Sequence, residues 1–371
     1  MTFRSLKKLF SLRRIWLLLL LPLSLLLYQL AAAFPSFAEW YARYPYRFLS
    51  RGINWLTGLL PISLAELLLY LLIPGILVWL IVGIVRLCRI PQQRKRRLAG
   101  FLLTPFCTAS VLLFAFVITC GINYSRYSFA EVCGLPVQDS SVEELYSLNV
   151  ELAKEVSSLR EHVSEDENGV MKTSFSSSGE KAQQARACYD TLEADYPTLT
   201  AGYSAPKAVL ASRLMSWCDI TGIFIPFTFE ANVNVDVPDY SQPATMCHEL
   251  SHLRGYMRED EANFIAYLAC RNSENVEFQY SGAMLAFVYA NNALYSADRE
   301  LGQEIFDTLH PGVQRDFAYN SAYWKQFEGP VSEISGAVND SYLKANGQDD
   351  GVKSYGRMVD LLLAEYRVHS S

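Results

Sequence analysis

His248, Glu249 and His252 stand in the order His248-Glu249-Leu250-Ser251-His252. On a helix, side chains four positions apart share a face, so both imidazoles can reach one Zn²⁺ while the glutamate beside the metal serves as general base. The chemistry expected is metal-assisted hydrolysis of a peptide bond, with Glu249 taking a proton from water and passing it to the leaving amine. An acidic cluster, Glu259-Asp260-Glu261, follows closely and offers a third ligand. Were the first helix to run on unbroken, Glu259 would lie about 10 Å along the axis from His252, too far to share an ion at ~2 Å bond lengths. The chain must therefore turn back, and Gly255 gives it the place to do so. On a second helix from Glu259 to Leu268, Glu259, Asn263 and Ala266 share one face, whereas Glu261 faces with Ile265 and Leu268. Glu259 is the first choice for the third ligand and Glu261 the alternative. The carboxylate left over favours the helix N-terminus or pairs with Arg254 or Arg258.

These residues need elements to hold them. Ser241 can cap the first helix, Pro243 suits its first turn and Gly255 its end. Just upstream, apolar and polar residues alternate from Phe229 to Val237, which predicts a strand with one buried face. A strand with a free edge beside such a site can bind an extended peptide as a further strand. An ordinary structural strand fits the same pattern. Cys247 precedes the first histidine but points about 100° away from it on a helix, so it reads as a small buried residue rather than a ligand. Ser141 to Glu144 resembles a capping box opening a helix to about His162, and a polar stretch from Ser164 to Gly179 reads as an exposed loop. Further helices are expected over 180–196, 206–221, 278–299, 311–327 and 352–367.

Over the whole chain, 51% of the 371 residues are hydrophobic, and the excess is concentrated in the first third. Three segments there, about 15–34, 59–88 and 102–121, are long enough to cross a ~30 Å hydrocarbon layer. The second carries Glu66 near its start and Pro74-Gly75 in its middle, so it should tilt or kink. A cleaved signal peptide is the rival reading of the first, but its apolar run exceeds the ~7–15 residues of a signal core. Arg4, Lys7, Lys8, Arg13 and Arg14 precede the first segment, and Arg86, Arg89 and Arg94 to Arg97 lie between the second and third. The positive-inside rule makes both groups cytoplasmic, giving a multi-pass cell-membrane protein with a cytoplasmic N-terminus and an extracytoplasmic C-terminal part. Arg43, Arg47 and Arg51 weaken the contrast without reversing it. The expected division is a membrane section, 1–121, contacting lipid, and an outer domain, 122–371, with ample length for a core.

The net charge of −6 arises despite the basic membrane section, so the outer domain is acidic, which argues against nucleic acid as a partner. Five of the eight cysteines, Cys133, Cys188, Cys218, Cys247 and Cys270, fall in that domain. An odd number without repeated spacing is no disulfide framework, and at least one thiol should be free.

The HELSH core followed by Glu259-Asp260-Glu261-Ala262-Asn263-Phe264-Ile265-Ala266-Tyr267-Leu268 resembles the gluzincin pattern of HtpX-type membrane peptidases and ImmA/IrrE peptidases. With its three N-terminal apolar segments, its HELxH-x-x-G core and Ser354 to Leu361, the chain also resembles an uncharacterised bacterial membrane family, domain-of-unknown-function family 3810. The resemblance implies a mainly α architecture, three transmembrane helices followed by an α+β zincin-like domain with a small sheet. It further implies His248, His252 and Glu259 as zinc ligands, Glu249 as base, and Asn263 as partner of a ligand histidine. Tyr355 and Arg357, in the shared C-terminal segment, are possible oxyanion donors. The gap before the acidic helix is shorter than in HtpX-type enzymes, and Arg258 stands where a metzincin would place a third histidine. The function expected is a zinc metallopeptidase acting on a peptide or protein outside the membrane or at its surface, with no cofactor beyond Zn²⁺. A catalytically inactive zinc-binding envelope signalling or scaffold protein is the alternative, and the intact Glu249 argues against it.

Overall fold

The computed structural model describes residues 13–89, 94–348 and 357–370. A 3₁₀ stretch, Arg13–Leu19, runs into α1 (Leu20–Ala33), followed by α2 (Pro35–Tyr41), α3 (Arg47–Thr57), α4 (Leu64–Arg89) and α5 (Arg94–Thr119). Three helices are long and apolar enough to cross a membrane: Arg14–Ala33, Leu64–Arg89 and Arg94–Thr119. Two boundaries differ from the sequence reading. Residues 59–63 remain a turn, because Pro61 interrupts them and the Ser63 hydroxyl accepts the Glu66 N–H (3.0 Å), starting α4 at Leu64. The third helix begins eight residues earlier than expected, at Arg94, since arginine is a good helix former. Its first turns are tied to the first helix by Arg14, which donates to the Gly100 carbonyl and to Thr104 Oγ1 (3.0 Å).

The stretch between the first two long helices is itself folded. Ala42–Tyr46 is a π-helical turn around Pro45, whose missing N–H breaks the α ladder. This stretch is fastened to the later chain by buried polar contacts. Glu39 accepts from Arg126 Nε (3.0 Å) and Nη2 (3.1 Å), and Asn54 Nδ2 donates to the Phe229 carbonyl (2.7 Å).

Beyond Thr119 the chain forms α6 (Phe129–Cys133), α7 (Val142–Arg160) and α8 (Ser178–Asp195). The Ser141 hydroxyl caps α7 by accepting the Glu144 N–H (3.2 Å). The helix expected over 206–221 is not formed as such. Lys207–Ala208 is a short strand, β1, and only Ser212–Trp217 is helical, α9. Next come β2 (Gly222–Ile225), β3 (Glu230–Val233), α10 (Gln242–Leu253), α11 (Glu259–Arg271), α12 (Val276–Ala297), α13 (Arg299–Asp307), α14 (Pro311–Lys325), α15 (Pro330–Ala345) and α16 (Met358–Ser370). Helices α13 and α15 were not expected from the sequence.

The sheet order is β1-β3-β2, with β1 parallel and β2 antiparallel to β3. The alternating segment thus supplies the central strand, shorter than expected and without a free edge. All four of its residues are buried, contrary to the one-face reading. Most of their polar groups are bonded internally: Asn232 Nδ2 donates to the Glu230 carbonyl (3.1 Å) and Glu230 holds Lys207, while Asn232 Oδ1 has no partner among the described residues. The edge strands are instead β1 and β2, and the edge beside the histidine-bearing helix is that of β2, whose outer side carries no strand among the described residues.

Helix α10 lies between this sheet and helices α8, α11 and α12. Leu250, Leu253, Phe264, Leu268, Phe278 and Phe287 close the core around it, each at most 1% exposed. Burial of this apolar face, at roughly 25 cal/mol per Å², keeps the histidine-bearing helix rigid.

Candidate metal centre

Helix α10 starts with Pro243 in its first turn, and Gln242 rather than Ser241 stabilises the entry. The Ser241 hydroxyl makes no cap; it donates to the Pro238 carbonyl (2.8 Å), while Gln242 Nε2 donates to the Val237 carbonyl (2.9 Å). The helix ends at Leu253, and the chain turns at Gly255, whose φ of +87° is the left-handed conformation glycine adopts without strain. After this reversal α11 begins at Glu259, as the spacing demanded.

The reversal brings three donors together. His248 Nε2 and His252 Nε2 are 3.0 Å apart, and Glu259 Oε2 lies 3.1 Å from the first and 3.6 Å from the second. Four ligands placed tetrahedrally at ~2.0–2.1 Å from Zn²⁺ are separated by about 3.3–3.4 Å, so these distances match three corners of such a site. The other ring nitrogens are engaged with acceptors. His248 Nδ1 meets Asn263 Oδ1 (2.7 Å), and His252 Nδ1 meets the Tyr256 carbonyl (2.7 Å). Both Nδ1 atoms therefore carry the proton in the neutral rings, and both Nε2 lone pairs aim at the shared space. A cation placed among them would offset the repulsion between two converging lone pairs and a carboxylate, and two imidazoles with a carboxylate are a donor set that zinc can take.

The three groups also perturb one another's charge. Burial works to raise the Glu259 carboxyl, but the imidazoles of His252 and His248 overcome it and hold it well below the usual carboxylate range. Burial likewise works to lower His252, yet Glu259 and Glu249 drive it up to about 9. Glu261, two residues on, points elsewhere: it accepts the Phe129 N–H (2.8 Å) and pairs with Arg258 Nη1 (3.3 Å). Arg258 also donates to the Arg126 carbonyl (3.1 Å), so it substitutes for no ligand.

Glu249 is 3% exposed, and its Oε2 has no hydrogen-bond partner among the described residues. Burial raises its carboxyl to about 7, against the pull of His248 and His252. The carboxylate lies against the β2 edge, where the Phe224 N–H faces it. A Cβ on Gly222 would come within 2.5 Å of Glu249 Oε1, so any larger residue there would displace the carboxylate. Cys247 is buried beside Cys188 and Cys270 rather than turned to the donors, and the eight cysteines are all free thiols.

Of the expected oxyanion donors, Tyr355 lies outside the described residues. Arg357 Nε sits 3.5 Å from Asp260 Oδ2, next to Glu259. Three contributors escaped the sequence reading. Tyr289 accepts the Asn263 Nδ2 hydrogen (3.1 Å) and so fixes the amide against His248. Tyr46 donates to the carbonyls of His252 and Leu253 (3.2 Å each). Gly222 is the third. None has a local sequence signal, since each acts on a residue distant in the chain; only the glycine within an apolar strand could have marked a close approach.

No curated protein and no solved structure matches the chain. Residues 41–363, from the helical stretch holding Tyr46 to the last helix, match the family described as Protein of unknown function (DUF3810), and the chain belongs to that family.

Proposed function

We propose that the chain is a membrane-anchored zinc metallopeptidase. The observation that carries this reading is the convergence of His248 Nε2, His252 Nε2 and Glu259 Oε2 beside a buried, unpartnered Glu249 carboxylate oxygen. A Zn²⁺ held there would acidify a water and polarise a carbonyl. The rest belongs to the chain's own residues. Glu249, raised towards neutrality, accepts a proton and returns it to the leaving amine. Asn263 and the Tyr256 carbonyl hold the two rings so that Nε2 faces inward. The β2 edge, which Gly222 lets lie close against Glu249, offers backbone groups to an extended peptide. A purely structural or inactive zinc site is disfavoured because a ligand set alone has no use for a buried carboxylate with an orphaned oxygen.

The full chain in detergent should bind about one Zn²⁺, lost in His248→Ala and His252→Ala. Glu249→Gln should keep the metal and lose about 10²–10⁴-fold in peptide hydrolysis. A zinc-free, correctly folded wild type would sink the proposal.

The basic residues at Arg14, Arg86, Arg89 and Arg94 to Arg97 lie at one end of the three long helices, which supports a cytoplasmic location for that end and an extracytoplasmic metal centre. A membrane-impermeant thiol reagent applied to intact cells should label a reporter cysteine at Ser177 and miss one at Gln92. Labelling at Gln92 alone would invert the topology.

A further inference from the structure

The sheet that borders Glu249 is fastened to the start of α4. Glu230 accepts the N–H groups of Leu64 (3.0 Å) and Ala65 (2.8 Å), the first residues of that helix, and Ile225 of β2 pairs with Glu230 across the sheet. Glu66, one residue on, accepts the N–H groups of Leu210 (2.9 Å) and Ala211 (2.8 Å). The C-terminal end of β2 therefore stands on the mouth of a helix that is 0% buried over its apolar window. Around that mouth large apolar side chains are left uncovered: Leu210 is 77% exposed, Leu214 64% and Phe227 46%, and Leu59 and Ile62 precede the helix in the same state. With α4 in a bilayer, this rim lies at the lipid surface and continues the helix's own apolar face. The turn that leads into Glu259 also reaches the end of a long helix, for Cys120 Sγ, just past α5, touches Met257 Sδ at 3.7 Å.

We propose that the free edge of β2 takes segments of proteins anchored in the same bilayer, entering across the rim of Leu210, Leu214 and Phe227. This rests on the peptidase reading above. The geometry also sets the position of the cut. From Ile225, at the bilayer end, to Gly222, beside Glu249, is three residues, or about 10 Å at ~3.4 Å per residue. Cleavage should therefore fall a few residues beyond the anchor, and not far out on a long tether.

The test uses full-length protein in liposomes with a single-spanning host helix whose outer flank is a randomised peptide, and, in parallel, the same randomised peptide unanchored. Cut sites read by mass spectrometry should cluster within about three to six residues of the anchor, and the anchored form should react about tenfold faster or more through its higher effective concentration. Leu214→Glu and Phe227→Glu should pull that ratio towards one. Equal rates for both forms, or cuts spread evenly along the flank, would overturn the proposal while leaving the peptidase reading intact. No cleavage above the Glu249→Gln background would end both. Independently of activity, a nitroxide attached at Leu214→Cys should be relaxed by oxygen from the lipid phase; relaxation by a water-soluble nickel complex instead overturns the lipid contact.

Discussion

Glu230 and Glu249 are two glutamates at the same small sheet, almost equally buried, and their surroundings are opposite. Glu230 is saturated: Lys207 Nζ and the N–H groups of Leu64 and Ala65 converge on its two oxygens, and Lys207 also donates to the Thr57 carbonyl (2.8 Å). Glu249 keeps one oxygen without a partner and has its carboxyl raised to about 7 by burial. Burial alone does not separate a clamp from a working group. The partner set excludes Glu230 from proton transfer, because a fully bonded carboxylate has no capacity left for a substrate proton, whereas Glu249 keeps an oxygen open for the role proposed above.

Lys207→Ala gives the hardest test of that contrast. It strands Glu230 inside the protein and should cost about 3–5 kcal/mol of stability in a denaturant titration of the full chain, with zinc per folded molecule unchanged. A loss below about 1 kcal/mol would mean that Glu230 is no clamp and would erase the distinction. Glu259→Gln and Glu261→Gln sharpen it within one helix turn. The first should weaken zinc retention by more than the ~100-fold typical of outer partners, whereas the second should keep the metal and cost at most about 1–3 kcal/mol. The reverse result would move the third ligand by two residues. Asn263→Ala has the smallest expected effect, about 10–100-fold in zinc affinity by competition with a chelator, since it frees the His248 ring without removing a donor.

The site was more legible than the fold that holds it. The convergence of His248, His252 and Glu259 follows from helical spacing and the need to reverse at Gly255, because these relations are local and span few residues. The choice between Glu259 and Glu261 could be ranked by helix face, but Glu261's actual partners, Phe129 and Arg258, required the tertiary structure. The sheet was read less well. Alternation from Phe229 to Val237 pointed to a strand with a solvent face, and the structure buries all four residues of β3, giving Glu230 a distant partner in Lys207 and Asn234, just beyond the strand, one in Ser216. Residues 206–221 looked helical because apolar spacing there serves two short elements and a turn. Periodicity records which residues are apolar. It does not record which polar ones will find company indoors.

The Tyr46 hydroxyl has a practical meaning for how this molecule comes to exist. It bonds the last carbonyls of the histidine-bearing helix, yet it is made some two hundred residues earlier, in the stretch between the first two long helices. During synthesis that stretch emerges first and must wait for its client. A fragment beginning after α5 would leave the carbonyls of His252 and Leu253 without this donor and would lose the Arg126 partner at Glu39. The candidate metal centre is therefore an assembly product of the early and late chain, and cutting the first three long helices away to gain solubility would remove contacts that hold it.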